Sequence, residues 1–287
     1  MTGEGSFLIK ELFNDDGPNF QGHFTDEQNI LGTLICGNKG EEFSFVVAEK
    51  YPAGSIPFDL YYLNDNKQLT TKSNSPSASI QLALLMPAES SNAVISDSLG
   101  KIILRFFSDK LSKDSTPDGV LNSMKMRYFE NYLNSNEPFS EGSKDGPSRD
   151  WQLLKFMHII YNDDSIVSFY ILSYAFTGGA HGLETQEYGV VDLTSGKLIQ
   201  LKEIFRDKFE QDLSRILTIK MRQMANLLDS QQLTEIGYFV DEIKPTENFY
   251  ITGNGIGFFY NHYDIAPYSF GSTELFVSNE ELKDILK

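Results

Sequence analysis

Cysteine is almost missing from this chain: Cys36 is the only one in 287 residues. A single thiol excludes an intramolecular disulfide and any metal site built from several cysteines. Its apolar neighbour Ile35 suits a buried, inert thiol. Having no disulfide fits a reducing compartment, but many exported bacterial proteins also do without one, so compartment stays open. Histidine is scarce too. The four residues never form a His-Glu-x-x-His arrangement, which excludes the helix-borne zinc motif. Positive charge is short: 24 basic residues stand against 40 acidic ones, for a net −16. Such a balance repels phosphate backbones and anionic lipid heads, so nucleic acid and membrane surfaces are poor partners. It favours a cationic partner, or serves solubility alone. No apolar run reaches the length of a membrane-spanning helix. Met1-Thr-Gly-Glu-Gly5 carries no basic and apolar signal region, so membrane attachment would need an anchor ahead of Met1. There is no fixed-period repeat and no charged tail.

Aromatic residues are plentiful: 22 Phe and 14 Tyr within a hydrophobic fraction of 40 %. That is ample core material and argues against disorder. The length predicts about two or three compact units. From Ser6 to Leu63 the short runs Phe7–Ile9, Ile30–Ile35, Glu42–Val47 and Phe58–Leu63 read as strands of a small antiparallel unit. The polar, proline-bearing stretch Thr70–Ser77 reads as a boundary. A strand over Ser79–Met86 follows, then a helix from Asn92 to Phe107 with Ile95, Leu99, Ile102 and Phe106 along one face. Thr116-Pro117 is an N-cap with proline at the first helical position. Leu121, Met124, Tyr128 and Tyr132 continue that helix. Asn134–Asp150 reads as an exposed loop. Leu153–Ile160, Ile166–Phe176 and Glu187–Asp192 read as strands, the second central and covered on both faces. Phe209 to Leu228 marks a long amphipathic helix. Gly253-Asn254-Gly255 predicts a hairpin turn, because Asn-Gly readily takes positive φ. Thr273–Val277 is a last strand, and Ser278 or Asn279 caps a final helix. Strands mixed with a few helices, without regular βαβ alternation, give an α+β class.

Phe176-Thr-Gly-Gly-Ala-His-Gly182, Val191-Asp-Leu-Thr-Ser-Gly-Lys-Leu198 and Leu201-Lys-Glu-Ile-Phe205 resemble the signature of a bacterial extracytoplasmic domain family. Thr246–Ile251, Phe259–Tyr268 and Gly271 resemble its C-terminal signature. That family occurs in RsiV-type anti-sigma factors and in the accessory region of PdaC-type deacetylases. The resemblance covers roughly Lys67 to Lys287. It implies an α+β fold of two associated modules with mostly antiparallel sheets and a place outside the cytoplasmic membrane, in the periplasm or at the cell surface, free or held by a lipid anchor. It also implies no catalysis by this region. In the anti-sigma factor the domain is a receptor for lysozyme. The expected organisation is therefore a small all-β unit over residues 1–66, an α+β module over 67–182 and a C-terminal α+β module over 183–287.

Thr177–Gly182 is the nearest approach to a chemical site. Gly178 and Gly179 can form an anion nest from their N–H groups, and His181 can act as an acid or base. The competing reading is a tight turn whose glycines permit positive φ and whose histidine caps backbone. Metal binding would need His181 and His262 to meet, joined by Glu184 or Asp264. Ser-His-Asp chemistry lacks a Gly-x-Ser-x-Gly elbow. Tyr260, Tyr263, Tyr268, Phe270 and Trp151 can form an aromatic binding surface or pack a core around Ala266-Pro267. The expected binding residues are Tyr263, Tyr268, His181, Gly178 and Gly179, with no catalytic residue, metal or cofactor. The expected function is a non-catalytic extracytoplasmic binding or sensor domain for a basic protein such as lysozyme, or for a cell-wall glycan. The alternatives are a peptidoglycan-processing hydrolase using His181 and a structural envelope protein.

Overall fold

The computed structural model describes residues 6–10, 19–24, 29–36, 41–48, 50–72, 75–88, 92–111, 115–136, 149–228 and 230–287. It divides into two compact units, Met1–Pro52 and Ala53–Lys287. In the first, β1 (Ser6–Lys10), β2 (Asn19–Phe24), β3 (Asn29–Cys36) and β4 (Glu41–Ala48) form a four-stranded antiparallel meander in chain order. Strand β2 was not legible in the sequence, because Gln21-Gly22-His23 breaks its apolar pattern. Its pairing places Phe20 opposite Leu34 and Phe24 opposite Ile30. Cys36 ends β3, and its side chain lies outside the described residues.

The second unit opens with β5 (Phe58–Gln68), β6 (Ser77–Pro87), α1 (Ala93–Phe107) and α2 (Pro117–Asn136). Then come β7 (Trp151–Asp163), β8 (Ile166–Phe176), β9 (Leu183–Asp192) and β10 (Lys197–Leu198). These strands form one six-stranded sheet, ordered β10-β9-β8-β7-β6-β5. Its neighbours are antiparallel except for the parallel pair β6–β7. A parallel pair needs a long crossover, and α1 and α2 supply it. The run Phe58–Leu63, expected in the N-terminal unit, instead edges this sheet, paired to β6 from Phe58↔Pro87 to Gln68↔Ser77. Position 66 therefore falls inside β5, and the β8–β9 hairpin spans position 182. Residues 137–148 of the expected Asn134–Asp150 loop lie outside the described residues.

Both helices have the expected starts. Asn92 accepts the Ile95 N–H at 3.3 Å and Thr116 Oγ1 accepts the Gly119 N–H at 3.2 Å. The buried row of α1 is Ile95, Leu99, Ile103 and Phe107 with Gly100 and Leu104. The expected stripe through Ile102 and Phe106 is thus rotated to the margin, where Phe106 meets Phe169 edge-on at 5.2 Å. One sheet face, carrying Ile80, Leu82, Leu84, Met157, Val167, Phe169 and Ile171, forms a core with α1 and α2.

The chain continues with α3 (Leu201–Ile204), α4 (Glu210–Met224), β11 (Phe249–Thr252), β12 (Gly255–Tyr260), β13 (Thr273–Ser278) and α5 (Asn279–Leu282). The three strands make an antiparallel meander, turned at Gly253-Asn254 where expected, although none of Gly253, Asn254 and Gly255 takes the positive φ anticipated for this turn. Phe258, Leu275 and Val277 share a core with Leu213, Leu217 and Met221 of α4. β11 packs on β7, β8 and β9. Ser168 on β8 fastens the two sheets: its hydroxyl donates to Ile251 O at 2.7 Å and accepts the Ile251 N–H at 3.0 Å. The first half of β8 is therefore covered on both faces, while its last residues, from Leu172, are only partly covered. A ladder of rings follows the strands, His158 to Tyr170 at 4.7 Å, Tyr170 to Tyr188 at 5.1 Å and Tyr188 to Tyr250 at 5.5 Å. Opposite register positions bring the first two pairs together, and the packing of β11 on β9 adds Tyr250. The fold is α+β with mostly antiparallel sheets.

Candidate functional site

Two segments far apart in sequence build the site. The first is the β8–β9 turn. Gly178 and Gly179 have φ of +92° and +104°, which glycine adopts without a Cβ penalty. Gly182 is buried, and a Cβ there would run into the Tyr174 ring. His181 is exposed, with Nδ1 2.8 Å from Gly182 O. A carbonyl only accepts, so Nδ1 is the donor in this bond. This is the only hydrogen bond of His181 among the described residues.

The second segment leaves β12. Asn261 N–H donates to Asp264 Oδ2 at 2.7 Å, and Tyr263 takes a φ of +72°. Pro267 then leads into a single 3₁₀ turn, Tyr268–Phe270, closed by Gly271 at φ +77°. The Tyr268 hydroxyl donates to Gly182 O at 3.0 Å and joins the segments. Its ring stacks on His181 at 3.8 Å and 20°, and on His262 at 4.6 Å and 28°. Tyr263 lies 5.9 Å from it and is 53 % exposed. Phe270, one of the exposed rings, meets Tyr238 edge-on at 5.0 Å. Exposed Phe239 is tied in by its N–H to Ile265 O at 2.9 Å.

Two asparagines that sequence reasoning passed over hold the segments in register. Strand β10 covers β9 only at Val191 and Asp192, which leaves the β9 backbone at 186–188 without a strand neighbour on that side. Asn248 Oδ1 accepts the Tyr188 N–H at 2.8 Å, and its Nδ2 donates to Gln186 O at 3.0 Å and Phe259 O at 3.2 Å. Asn261 Oδ1 accepts the Gln186 N–H at 2.7 Å while Nδ2 donates to Gln186 O at 3.0 Å. Buried edge groups need such partners. The available signal was an amide set among aromatics in Glu247-Asn248-Phe249 and Tyr260-Asn261-His262.

All five expected binding residues therefore fall in the two segments that meet here. His181 and His262 each stack on the Tyr268 ring, rather than joining one another as metal ligands. Among the described residues no group of three or more His, Cys, Asp or Glu is placed to hold a metal ion. Tyr260 and Trp151 lie elsewhere. Tyr260 is a core residue whose hydroxyl donates to Lys244 O at 2.7 Å. Trp151 packs against Tyr128 and Tyr132 of α2, and burial pushes the Tyr132 hydroxyl up to about 12.

Residues 71–184 match the family model described as deacetylase PdaC, and residues 202–280 match that described as protein of unknown function, DUF3298. The chain joins a PdaC-type region to a DUF3298 region. The turn bearing His181 belongs to the PdaC region and Tyr268 to the DUF3298 region, so the site lies where the two meet. The chain is similar in fold to a DUF3298 family member from Bacteroides fragilis, at 24 % identity and a TM-score of 0.73 over 81 % of this chain and 94 % of that one. A DUF3298 family protein from Pseudomonas aeruginosa aligns at 20 % identity and a TM-score of 0.58, over 82 % and 97 %. At these identities the likeness concerns the fold. A comparison with curated proteins found no match.

Proposed function

We propose that this chain is a non-catalytic binding module acting outside the cytoplasmic membrane, and that its partner is a basic protein, with lysozyme the first candidate. One observation carries the reading: the partly exposed ring cluster of His181, His262, Tyr263 and Tyr268, assembled from both regions and held by the buried Gly182 carbonyl. Tyrosine offers rigid contact area with a polar tip, and its ring face attracts guanidinium and ammonium groups. The net charge of −16 adds attraction over a Debye length, roughly 8 Å at physiological salt. His181 takes part in this cluster as a packed ring, bonded to the Gly182 carbonyl and stacked on Tyr268. Among the described residues no helix is long and apolar enough to cross a membrane.

Calorimetry of the chain against lysozyme at low and physiological salt tests this, with muropeptides titrated in parallel. Binding that survives physiological salt and weakens about tenfold or more in Tyr268→Ala supports the reading, as expected for a central anchor. Binding seen only at low salt, and equally to any basic protein, refutes it. Binding of muropeptides alone would replace the protein partner with a glycan.

A further inference from the structure

Among the described residues no strand pairs with the outer edge of β5. It ends the six-stranded sheet, runs for eleven residues without proline, and contains no buried residue. Leu60 and Tyr62 are 63 % and 57 % exposed. A long edge strand of this kind presents a row of unpaired donors and acceptors to another chain. Which groups point outward follows from the ladder to β6. Ala88 N–H donates to Pro57 O and Leu69 N–H donates to Pro76 O, at opposite ends of an unbroken register. Odd-numbered residues therefore bond to β6, and the even-numbered residues from Phe58 to Gln68 direct their N–H and C=O groups away from it.

We infer that β5 pairs with β5 of a second copy of this chain, antiparallel about a two-fold axis at Leu63. The register is singled out twice. Pairing Phe58 with Gln68 is the one alignment that overlaps all eleven residues. That same alignment sets Asp59 opposite Lys67, and the symmetry repeats the pair. Both side chains are exposed, and neither has an ion-pair partner among the described residues. Shifting the register by two residues in one direction would set Asp59 against Asp65, and in the other would lose the charge pair. The chosen alignment also brings the outward-pointing residues Tyr62 and Asn64 together as a hydrogen-bonding pair. Tyr62 of one copy then sits diagonal to Tyr62 of the other, within aromatic reach. Helix α2 packs over both β5 and β6. With strands roughly 4.8 Å apart, the two α2 axes would stand about 10 Å apart across the axis, a helix-packing distance rather than a clash.

Sedimentation velocity of the full chain over a range of concentrations is the test. The expected species is a dimer, twice the 32.5 kDa of one chain. Asp59→Lys sets two lysines face to face and Lys67→Asp two aspartates, and each should weaken the dimer by about tenfold or more, counting both symmetry copies. The double exchange Asp59→Lys with Lys67→Asp should restore it. Tyr62→Pro removes an outward N–H and leaves the β6 ladder intact, so it should give a folded monomer. A chain that stays monomeric at every concentration overturns the inference. So does a dimer indifferent to all four variants, which would use another surface.

Discussion

Asn248→Ala removes the amide that satisfies the edge of β9. The Tyr188 N–H loses its acceptor, and Tyr188 is only 6 % exposed, so water does not readily replace it. Phe259 O loses the donor at 3.2 Å, while Gln186 O keeps the donor from Asn261. One orphaned buried donor and one weakened acceptor should cost about 2–3 kcal/mol, since each unsatisfied buried group costs roughly 1–3 kcal/mol. Asn248→Asp should cost at least as much. It keeps the acceptor for Tyr188 but sets an oxygen against two carbonyls. Urea unfolding followed by fluorescence of Trp151, the chain's one tryptophan, reads the loss within the same compact unit. A loss below about 0.5 kcal/mol in Asn248→Ala, with an unchanged denaturant slope, would refute the assignment of Asn248 as the fastener.

Gly182→Ala pushes a methyl into the Tyr174 ring and should destabilise by about 1–3 kcal/mol, measured in the same titration; a neutral outcome would mean that the turn relaxes freely. Gly179→Ala meets open space, but at φ +104° the backbone strain alone should cost on the order of 1–3 kcal/mol, and a thermal midpoint unchanged from wild type would contradict it. At acid pH the exposed Glu281 matters. The hydrogen bond from Lys220 at 2.8 Å, then those from Ser278, hold its carboxyl at about 2 against an ordinary 4.5. Because the folded value is the lower, its stabilisation is full above about 4.5 and is lost as pH falls from there towards about 2. Solvent screening should keep that contribution below about 1 kcal/mol, and Glu281→Gln should flatten this part of the stability–pH curve; an unaltered curve would count against it.

What depended on neighbours in sequence was legible. The cap at Thr116-Pro117, the hairpin at Gly253-Asn254-Gly255 and the cap of the last helix, read as Ser278 or Asn279 and found at Ser278, all rest on contacts a few residues apart. Pairing partners were harder. The composition of Phe58–Leu63 marks a strand but does not say which strand it joins, and it joins β6. Periodicity found the apolar side of α1 but not its rotation, because two adjacent rows of side chains share the burial. The five candidate residues were read from glycine chemistry and aromatic content. That they fall together was not readable, since 86 residues separate Gly182 from Tyr268. Asn248 and Asn261 escaped for the same reason: an amide capping the edge of a distant strand leaves no periodic trace.

Hydrogen–deuterium exchange on the chain with and without saturating lysozyme, at physiological salt, tests most directly whether the ring cluster is the contact surface. Slowed exchange is expected mainly in residues 178–184 and 261–271, the two segments that carry the stacked rings. A saturated complex in which those segments exchange as in the free chain, with protection elsewhere, would contradict it.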